Sequence, residues 1–290
     1  MNTSKVYHYI KKMKKRIVVK VGSNVLTRAD GKLDVTRMSA LVDQIAWLRK
    51  QNIEVILVTS GAVACGRREL TVDHLLDSVE QRQLFSAVGQ VKLVGLYYDL
   101  FREFGIHVGQ VLTMKENFQP GEQYRNQQAC MTVMLENDVM PIVNENDTVS
   151  VTELMFTDND ELSGLIAQMM KADSLILLSN IDGIYTGHPE DPTSELIQTV
   201  APCTDLSKYI QAEKSAFGRG GMHSKYHTAS NVQCAGIHVI IANGTRDDIL
   251  IDLIERPESI QHTEFLTSRR YATYRYIRSS YARQQELGLA

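Results

Sequence analysis

The stretch Ile17-Val18-Val19-Lys20-Val21, with the turn Gly22-Ser23-Asn24 that follows it, decides the fold class of this chain. The run is short, rich in β-branched residues and almost continuously apolar, which predicts a strand buried on both faces. Apolar residues between Met38 and Leu48 then recur at helical spacing, and a second apolar run occupies residues 55–58. A strand, a helix and a second buried strand in this order indicate a β-α-β unit with parallel strands.

The same alternation continues along the chain. Helical patterns occupy about residues 79–104, 122–137, 163–170 and 226–235, and extended apolar runs occupy residues 106–112, 139–143, 175–178 and 238–242. We therefore predict an α/β protein, a three-layer α/β/α sandwich around a mainly parallel sheet. We divide the chain into a basic N-terminal extension (residues 1–15), one α/β domain (16–267) and a C-terminal tail (268–290).

Composition limits the functional classes. The 290 residues are 43% hydrophobic and 22% charged, with a formal net charge of −3, which gives no reason to expect nucleic acid as the main partner. No apolar run is long enough to span a membrane, and the basic N-terminus lacks the apolar stretch of a secretory signal. We expect a cytoplasmic protein. The four scattered cysteines contain no CxxC pair, so we predict reduced, mostly buried thiols and no structural metal site.

The C-terminal tail interleaves arginines with tyrosines over about 25 residues. Basic and aromatic residues in alternation would suit RNA binding. A terminal helix that packs its tyrosines on the body of the protein is the simpler interpretation, and it is the one we predict.

Three segments have the composition of an anion site. Lys20 and Gly22 follow the first strand, and Thr59-Ser60-Gly61-Ala62 follows the second and runs into a helix. The third is the glycine-rich loop Gly218-Arg219-Gly220-Gly221, which enters a helix carrying Lys225. Backbone N–H groups at such turns, with a lysine beside them, bind phosphate. Each segment alone has an ordinary alternative, either a lysine that reaches solvent or a flexible surface loop.

Two polar clusters lie near the middle of the chain. Asn144-Glu145-Asn146-Asp147 follows a predicted strand, and Asp158-Asn159-Asp160 precedes a predicted helix. Helix capping would explain single aspartates. Two dense clusters are more typical of a site for a small polar substrate or a metal-bound nucleotide, because ligands of open α/β sheets bind beyond the carboxyl ends of the strands.

In this order, the segments resemble the motifs of the amino-acid kinase superfamily over about residues 15–245. They are Lys20-Val-Gly-Ser-Asn-Val-Leu, Thr59-Ser-Gly-Ala, Asn144-Glu-Asn-Asp-Thr-Val, Asp158-Asn-Asp-Glu-Leu-Ser and Gly218-x-Gly-Gly-Met-x-x-Lys225. The pair of acidic and amide clusters is similar to that of the glutamate 5-kinases. The resemblance implies an amino-acid kinase (carbamate kinase-like) fold and transfer of the γ-phosphoryl group of ATP to the side-chain carboxylate of L-glutamate. It also implies that the product, L-glutamyl 5-phosphate, enters proline biosynthesis.

The resemblance also assigns residues. Catalytic roles fall on Lys20, Lys225 and Asp160, with Asp160 orienting the lysines, and glutamate binding falls on Ser60, Asp147 and Asn159. Magnesium is expected to arrive with ATP, without metal ligands from the protein. The residues expected to bind ATP are Lys20, Gly22, Ser23, Gly61, Ser179, Asn180, Gly218, Arg219, Gly220, Gly221, Met222 and Lys225.

The chain differs from the family pattern at three positions. Ser179-Asn180 stands where the family usually has Thr-Asp, Thr157 replaces a glycine, and Arg219 replaces a small residue. We expect a form without the C-terminal PUA domain, a homodimer or homotetramer, proline as a feedback inhibitor and glutamyl-phosphate reductase as the pathway neighbour. The alternatives are another kinase of the superfamily, for acetylglutamate or aspartate, and a non-catalytic regulatory homologue.

Overall fold

The computed structural model describes residues 15–150, 156, 158–210 and 221–268. Within them the chain forms one eight-stranded sheet with helices on both faces. The predicted N-terminal extension, apart from Lys15, and the predicted C-terminal helix lie outside the described residues.

Within the described residues, the predicted helices and strands occur in the predicted order, and the structure adds two strands and two short helices that the sequence analysis did not predict. The strands are β1 Lys15–Val21, β2 Ile53–Val58, β3 His107–Thr113, β4 Val139–Glu145, β5 Ser174–Ser179, β6 Thr199–Val200, β7 His238–Asn243 and β8 His262–Phe265. The helices are α1 Ser23–Leu26, α2 Val35–Lys50, α3 Ala62–Glu69, α4 Ser78–Arg102, α5 Glu122–Glu136, α6 Asn159–Met169, α7 Met222–Cys234 and α8 Ile249–Glu255. Short 3-10 turns lie at Lys115–Phe118, Ser207–Tyr209 and Pro257–Ser259.

The strand order is β3-β4-β2-β1-β5-β7-β8-β6. The neighbours from β3 to β7 are all parallel, and β8 runs antiparallel to β7. The prediction of a mainly parallel sheet is therefore confirmed. Because parallel strands end at the same edge, this topology brings the turns after β1, β2, β4 and β5 together.

Strand β1 shows why both faces of the sheet are covered. Ile17, Val19 and Val21 belong to one hydrophobic core, with α2, α4 and α8, whereas Val18 belongs to the other core, with α5, α6 and α7. All four side chains are fully buried. Successive side chains of a strand point to opposite faces, so a continuous apolar run requires helices on each side. The predicted three layers are confirmed.

Two helices begin earlier than their apolar periodicity predicts. Helix α6 begins at Asn159 instead of Ser163, because Asp158 caps it: its Oδ1 accepts from the backbone N–H of Asp160 at 2.9 Å and of Glu161 at 3.1 Å. Helix α7 begins at Met222 instead of Tyr226. Both first turns are mostly polar, so they carry little of the apolar signal from which a helix is predicted. As a result, two of the sequence motifs lie on the first turns of helices.

The cysteine prediction is partly wrong. All four thiols are free, as predicted, but only Cys65 is buried, and Cys130, Cys203 and Cys234 are exposed. Each exposed cysteine lies on the outer side or at the end of a helix or turn, where sequence periodicity gives little information on burial. Among the described residues, no helix combines the length and apolarity needed to cross a membrane.

Candidate active site

The strand ends border one open cleft of about 1130 Å³. It lies at the edge of the sheet where β1, β2, β4 and β5 end, as expected for an open parallel sheet. The loop residues Gly218, Arg219 and Gly220, and also Thr157, lie outside the described residues. Every other predicted site residue lines this cleft: Lys20, Gly22, Ser23, Ser60, Gly61, Asp147, Asn159, Asp160, Ser179, Asn180, Gly221, Met222 and Lys225.

A carboxylate that lies between two lysines lines the cleft. Asp160 Oδ1 lies 2.6 Å from Lys20 Nζ, and Asp160 Oδ2 lies 3.0 Å from Lys225 Nζ. The three residues come from β1, α6 and α7, more than 60 positions apart in the sequence. All three side chains are buried. Asp160 therefore fixes both ammonium groups in one place, and the cluster has a net charge of +1.

The charge state of Asp160 follows from its surroundings. Burial raises the pKa of this carboxyl group, but the charges and hydrogen bonds of Lys20 and Lys225 outweigh burial and lower the pKa to about 2. Asp160 is consequently ionised near neutral pH. It is a holder of lysines and not a proton acceptor, because a general base needs a pKa near the working pH.

Asn159 connects the ends of two strands through its side-chain amide. Its Nδ2 lies within hydrogen-bond distance of the backbone carbonyl of Thr59 (2.7 Å), of Ser60 Oγ (2.9 Å) and of Asn144 Oδ1 (3.0 Å). Asn144 in turn donates to Gln90 Oε1 at 2.9 Å. Ser60 and Asn159, both predicted as glutamate ligands, are thus adjacent and oriented by the ends of β2 and β4.

Asp147 has a basic partner that the sequence analysis missed. Arg82, near the start of α4, donates from Nε to Asp147 Oδ1 at 2.7 Å and from Nη2 to Glu145 Oε2 at 2.9 Å. A single arginine on a helix gives no sequence signal of such a role, since its partners lie 63 and 65 positions away. One guanidinium shared by two carboxylates leaves a net negative charge beside the cleft, which suits a bound ammonium group.

Glu145 is a structural residue within its motif. The side chain is 4% exposed, and its Oε1 accepts from Ser150 Oγ at 2.9 Å and from the backbone N–H of Phe156 at 3.1 Å. These bonds connect the end of β4 to both ends of the segment 150–156. The buried carboxylate therefore joins Ser150 and Phe156 to the end of β4.

Two glycines that were predicted to lie beside phosphate shape one side of the cleft. Gly61 has φ of +108°, a conformation that favours glycine, and it lets the chain turn from β2 into α3. Gly22 was expected to supply a backbone donor, but its N–H donates to the carbonyl oxygen of Leu178 at 3.3 Å. A Cβ atom on Gly22 would lie 3.3 Å from Lys20 Nζ. Its observed contribution is the space that Lys20 occupies.

The departure at Ser179-Asn180 leaves an exposed amide at the end of β5. Asn180 is exposed and lines the cleft, and Ser179 is buried. The next carboxylate, Asp182, is bound to Arg246 Nε at 2.9 Å and Asn243 Nδ2 at 3.1 Å. Burial raises its pKa, but these hydrogen bonds outweigh burial and lower it. Asp182 therefore forms an ion pair with Arg246 within the protein.

Two further basic residues of the cleft were not predicted. Arg67 and Arg68, in the last turn of α3, line the wall beside Ala62 and Ala64. They complement an anionic ligand, and the sequence shows them only as an ordinary basic helix end.

Comparison with known proteins decides the family. A sequence profile described as the amino acid kinase family matches residues 15–243. A curated glutamate 5-kinase from Bacteroides thetaiotaomicron is 66% identical over 253 residues, which cover 87% of this chain and 70% of that protein. The chain belongs to the glutamate 5-kinases of the amino acid kinase family. The resemblance seen in the five motifs is therefore confirmed.

Other curated relatives agree with this placement. A glutamate 5-kinase from Chlorobaculum tepidum is 47% identical over 237 residues, covering 81% of this chain and 65% of that protein. One from Photobacterium profundum is 41% identical over 242 residues, covering 83% and 64%. The chain spans about two thirds of the length of these relatives.

Solved structures share the fold. The carbamate kinase from Giardia lamblia bound to AMP-PNP superposes with a TM-score of 0.66 at 14% identity, covering 88% of this chain and 99% of that one. The UMP kinase from Ureaplasma parvum gives a TM-score of 0.60 at 15% identity, covering 88% and 100%. The predicted carbamate kinase-like fold is confirmed.

Proposed function

We propose that this chain is an ATP:L-glutamate 5-phosphotransferase that makes L-glutamyl 5-phosphate, the first step of proline biosynthesis. The observation that carries the proposal is the buried cluster of Lys20, Asp160 and Lys225 in the cleft, since two fixed ammonium groups suit a phosphoryl group in transfer. The 66% identity to a curated glutamate 5-kinase supports the choice of acceptor.

The chemistry requires charge neutralisation and not proton removal. The side-chain carboxylate of glutamate has a reference pKa of about 4.3, so it is already an anion at neutral pH. An anion must approach a polyphosphate, and Lys20 and Lys225 would offset that repulsion on either side of the transferred group. Because Asp160 holds both lysines in place before the substrates bind, little reorganisation is needed during the reaction.

We assign glutamate recognition to the side of the cleft that is lined by Asp147, Ser60 and Asn159. Asp147 would bind the α-ammonium group, with Arg82 holding its carboxylate in position. Ser60 and Asn159 would orient the substrate through hydrogen bonds, since they already lie 2.9 Å apart and face the cleft.

ATP would occupy the side of the cleft formed by Ser23, Gly61 and the start of α7. The carboxylate of Asp158, which lines the same cleft, fits a magnesium ion brought by the nucleotide. Burial and then the charge of Asp160 raise the pKa of Asp158, and a nearby divalent cation would relieve both effects. One carboxylate together with substrate phosphates is a usual magnesium environment, and the ion would neutralise phosphate charge there. Among the described residues, no group of three or more His, Cys, Asp or Glu side chains surrounds a common cation position.

The partners of this enzyme are also proposals. A homo-oligomer is supported by α4, where Leu84, Val91 and Tyr98 are exposed at intervals of seven residues. Side chains seven apart lie on one stripe of a helix, and such a stripe can pack against its own copy about a two-fold axis. We also propose a cytoplasmic location, inhibition by proline and a pathway connection to glutamyl-phosphate reductase, as the sequence resemblance implies.

The deciding experiment measures the acyl phosphate. The full chain is incubated with ATP, Mg²⁺ and L-glutamate, and the product is trapped with hydroxylamine as the γ-hydroxamate. Parallel reactions contain N-acetylglutamate or aspartate, the acceptors of the runner-up kinases. N-acetylglutamate has no free ammonium group for Asp147, so we expect hydroxamate with glutamate alone.

The matched control is Lys225→Ala, which removes one of the two ammonium groups of the cleft. It should reduce turnover by about two orders of magnitude or more, as for other residues that stabilise transition-state charge. Hydroxamate formed equally with an alternative acceptor would overturn the glutamate assignment. ATP binding without hydroxamate from any of the acids would favour the non-catalytic homologue.

A further inference from the structure

Two exposed histidines lie side by side on helix α7. His223 and His227 are four positions apart, in the sequence His223-Ser-Lys-Tyr-His227. Residues at i and i+4 lie on the same face of a helix, one turn apart. This spacing is visible in the sequence, and the expectation that the chain has no metal site overlooked it.

The two rings converge on one point. The Nε2 atoms are 3.1 Å apart, and the ring centroids are 4.3 Å apart with an interplanar angle of 63°. Two imidazole nitrogens bound to one metal ion at about 2.0–2.1 Å, with an angle of about 90–110° between them, would be about 2.8–3.4 Å apart. The observed separation falls in that interval. When both rings carry their proton on Nδ1, both Nε2 lone pairs are available to the same ion.

The pair lies outside the proposed active site. Neither histidine lines the cleft, although Met222 and Lys225 on the same helix do. Lys225, between the histidines in sequence, is buried and points to Asp160 on the opposite side of the helix. Among the described residues, no third histidine, cysteine or carboxylate lies beside the pair, so the proposed site has two protein ligands there.

We propose that His223 and His227 form a bidentate surface site for a late first-row divalent cation, such as Ni²⁺, Cu²⁺ or Zn²⁺. Imidazole nitrogen suits these ions, whereas Mg²⁺ and Ca²⁺ prefer oxygen ligands. Occupation ties the first turn of α7 to its second turn and thereby stabilises the helix that carries Lys225. The site does not depend on the proposed kinase activity.

The test uses the tag-free full chain and NiCl₂ as the probe, in calorimetric titrations. Nickel is preferred to zinc because soft thiolates favour zinc, and three cysteines are exposed. The variants are His223→Gln and His227→Gln. The matched control is His107→Gln, which removes an exposed histidine at the start of β3. We expect one site in the wild type, lost or weakened at least about tenfold in each α7 variant and unchanged in the control.

Thermal unfolding provides a second readout, because an ion that binds only the folded state stabilises it by mass action. At about 100 times the dissociation constant, Ni²⁺ should raise the folding equilibrium constant about 100-fold in the wild type and in His107→Gln, but not in His227→Gln. Equal nickel binding by wild type and His227→Gln would overturn the proposal. An equal loss of binding in His107→Gln would also overturn it, by showing that the binding is not specific to the pair.

Discussion

Replacing Asp160 with asparagine tests whether this buried carboxylate holds the two lysines of the cleft. The change removes the negative charge and keeps the size of the side chain. The pKa of Asp160 is lowered from 3.8 to about 2, which corresponds to roughly 2–3 kcal/mol of stabilisation by the charged form. Removing one partner of a buried ion pair costs about 3–5 kcal/mol in other proteins. We therefore expect the free energy of unfolding at pH 7 to fall by about 2–5 kcal/mol.

The effect on activity should be larger than the effect on binding. Without the carboxylate, Lys20 and Lys225 repel each other and lose their fixed positions. A displacement of about 1 Å of a catalytic group lowers turnover about 100-fold. We expect kcat in the hydroxamate assay to fall at least about 100-fold, while the KM for glutamate changes little, because Asp160 contacts the lysines and not the acceptor.

The pH dependence has a defined sign. A carboxyl group whose pKa is lower in the folded state stabilises the protein above its ordinary pKa, and this contribution is lost as the pH falls through the folded value. The difference in unfolding free energy between the wild type and Asp160→Asn should therefore shrink as the pH falls from about 4 toward 2. Urea unfolding at several pH values measures this difference.

The control for Asp160→Asn is Glu161→Gln, the neighbouring residue on α6. Glu161 forms a partly exposed ion pair with Lys115 at 2.8 Å, so its loss should cost less than about 1 kcal/mol and leave kcat unchanged. The reasoning would be refuted if folded Asp160→Asn kept a kcat within threefold of the wild type, as roughly expected for a surface substitution.

Three further substitutions test other parts of the structure. Arg82→Gln should raise the KM for glutamate about tenfold, a loss of about 1.4 kcal/mol, because Asp147 loses its fixed position. The KM for ATP should stay unchanged. Steady-state kinetics that show equal changes in both constants would contradict this reasoning. Gly89→Ala should lower the unfolding free energy by about 3 kcal/mol, because the new Cβ atom would overlap a backbone carbonyl of α3. Gly95→Ala on the same helix is the control: its Cβ would meet open space, so this substitution should stabilise the protein by about 1 kcal/mol. Urea titrations measure both changes. Val91→Glu should convert the oligomer to monomers in analytical ultracentrifugation, and an unchanged mass would exclude the α4 stripe as the interface.

The order of the strands and helices was predictable because a strand that is buried on both faces appears in the sequence as a run of consecutive apolar residues. The apolar run of β1 can be stable only inside a covered parallel sheet, so the fold class follows from a few consecutive residues. Helix starts were less predictable, since the first turns of α6 and α7 consist of polar capping and site residues without apolar periodicity. The exposure of three cysteines was not predictable, because free cysteines are usually buried and one sequence does not mark the exceptions.

The candidate site was also predictable only in part. The sequence motifs contain Lys20, Asp160 and Lys225, but the contacts between them at 2.6 and 3.0 Å join segments separated by 140 and 65 positions. Arg82 had no signal at all, since an isolated arginine on an amphipathic helix is usually a solvent-exposed residue. The histidine pair of α7 had a clear signal in its spacing, and only the convergence of the two rings shows its consequence.

The sequence by itself determined the α/β alternation, the position of the cleft at the strand ends and the family, because these depend on local periodicity and on motifs of consecutive residues. Only the tertiary structure decided which charges and hydrogen-bonding groups meet: Asp160 between two lysines, Arg82 between two carboxylates, and the Gly22 N–H with the Leu178 carbonyl. The physical reason is that electrostatic interactions and hydrogen bonds depend on distances between atoms. Those distances are set by the packing of the sheet and its helices, and not by proximity along the chain.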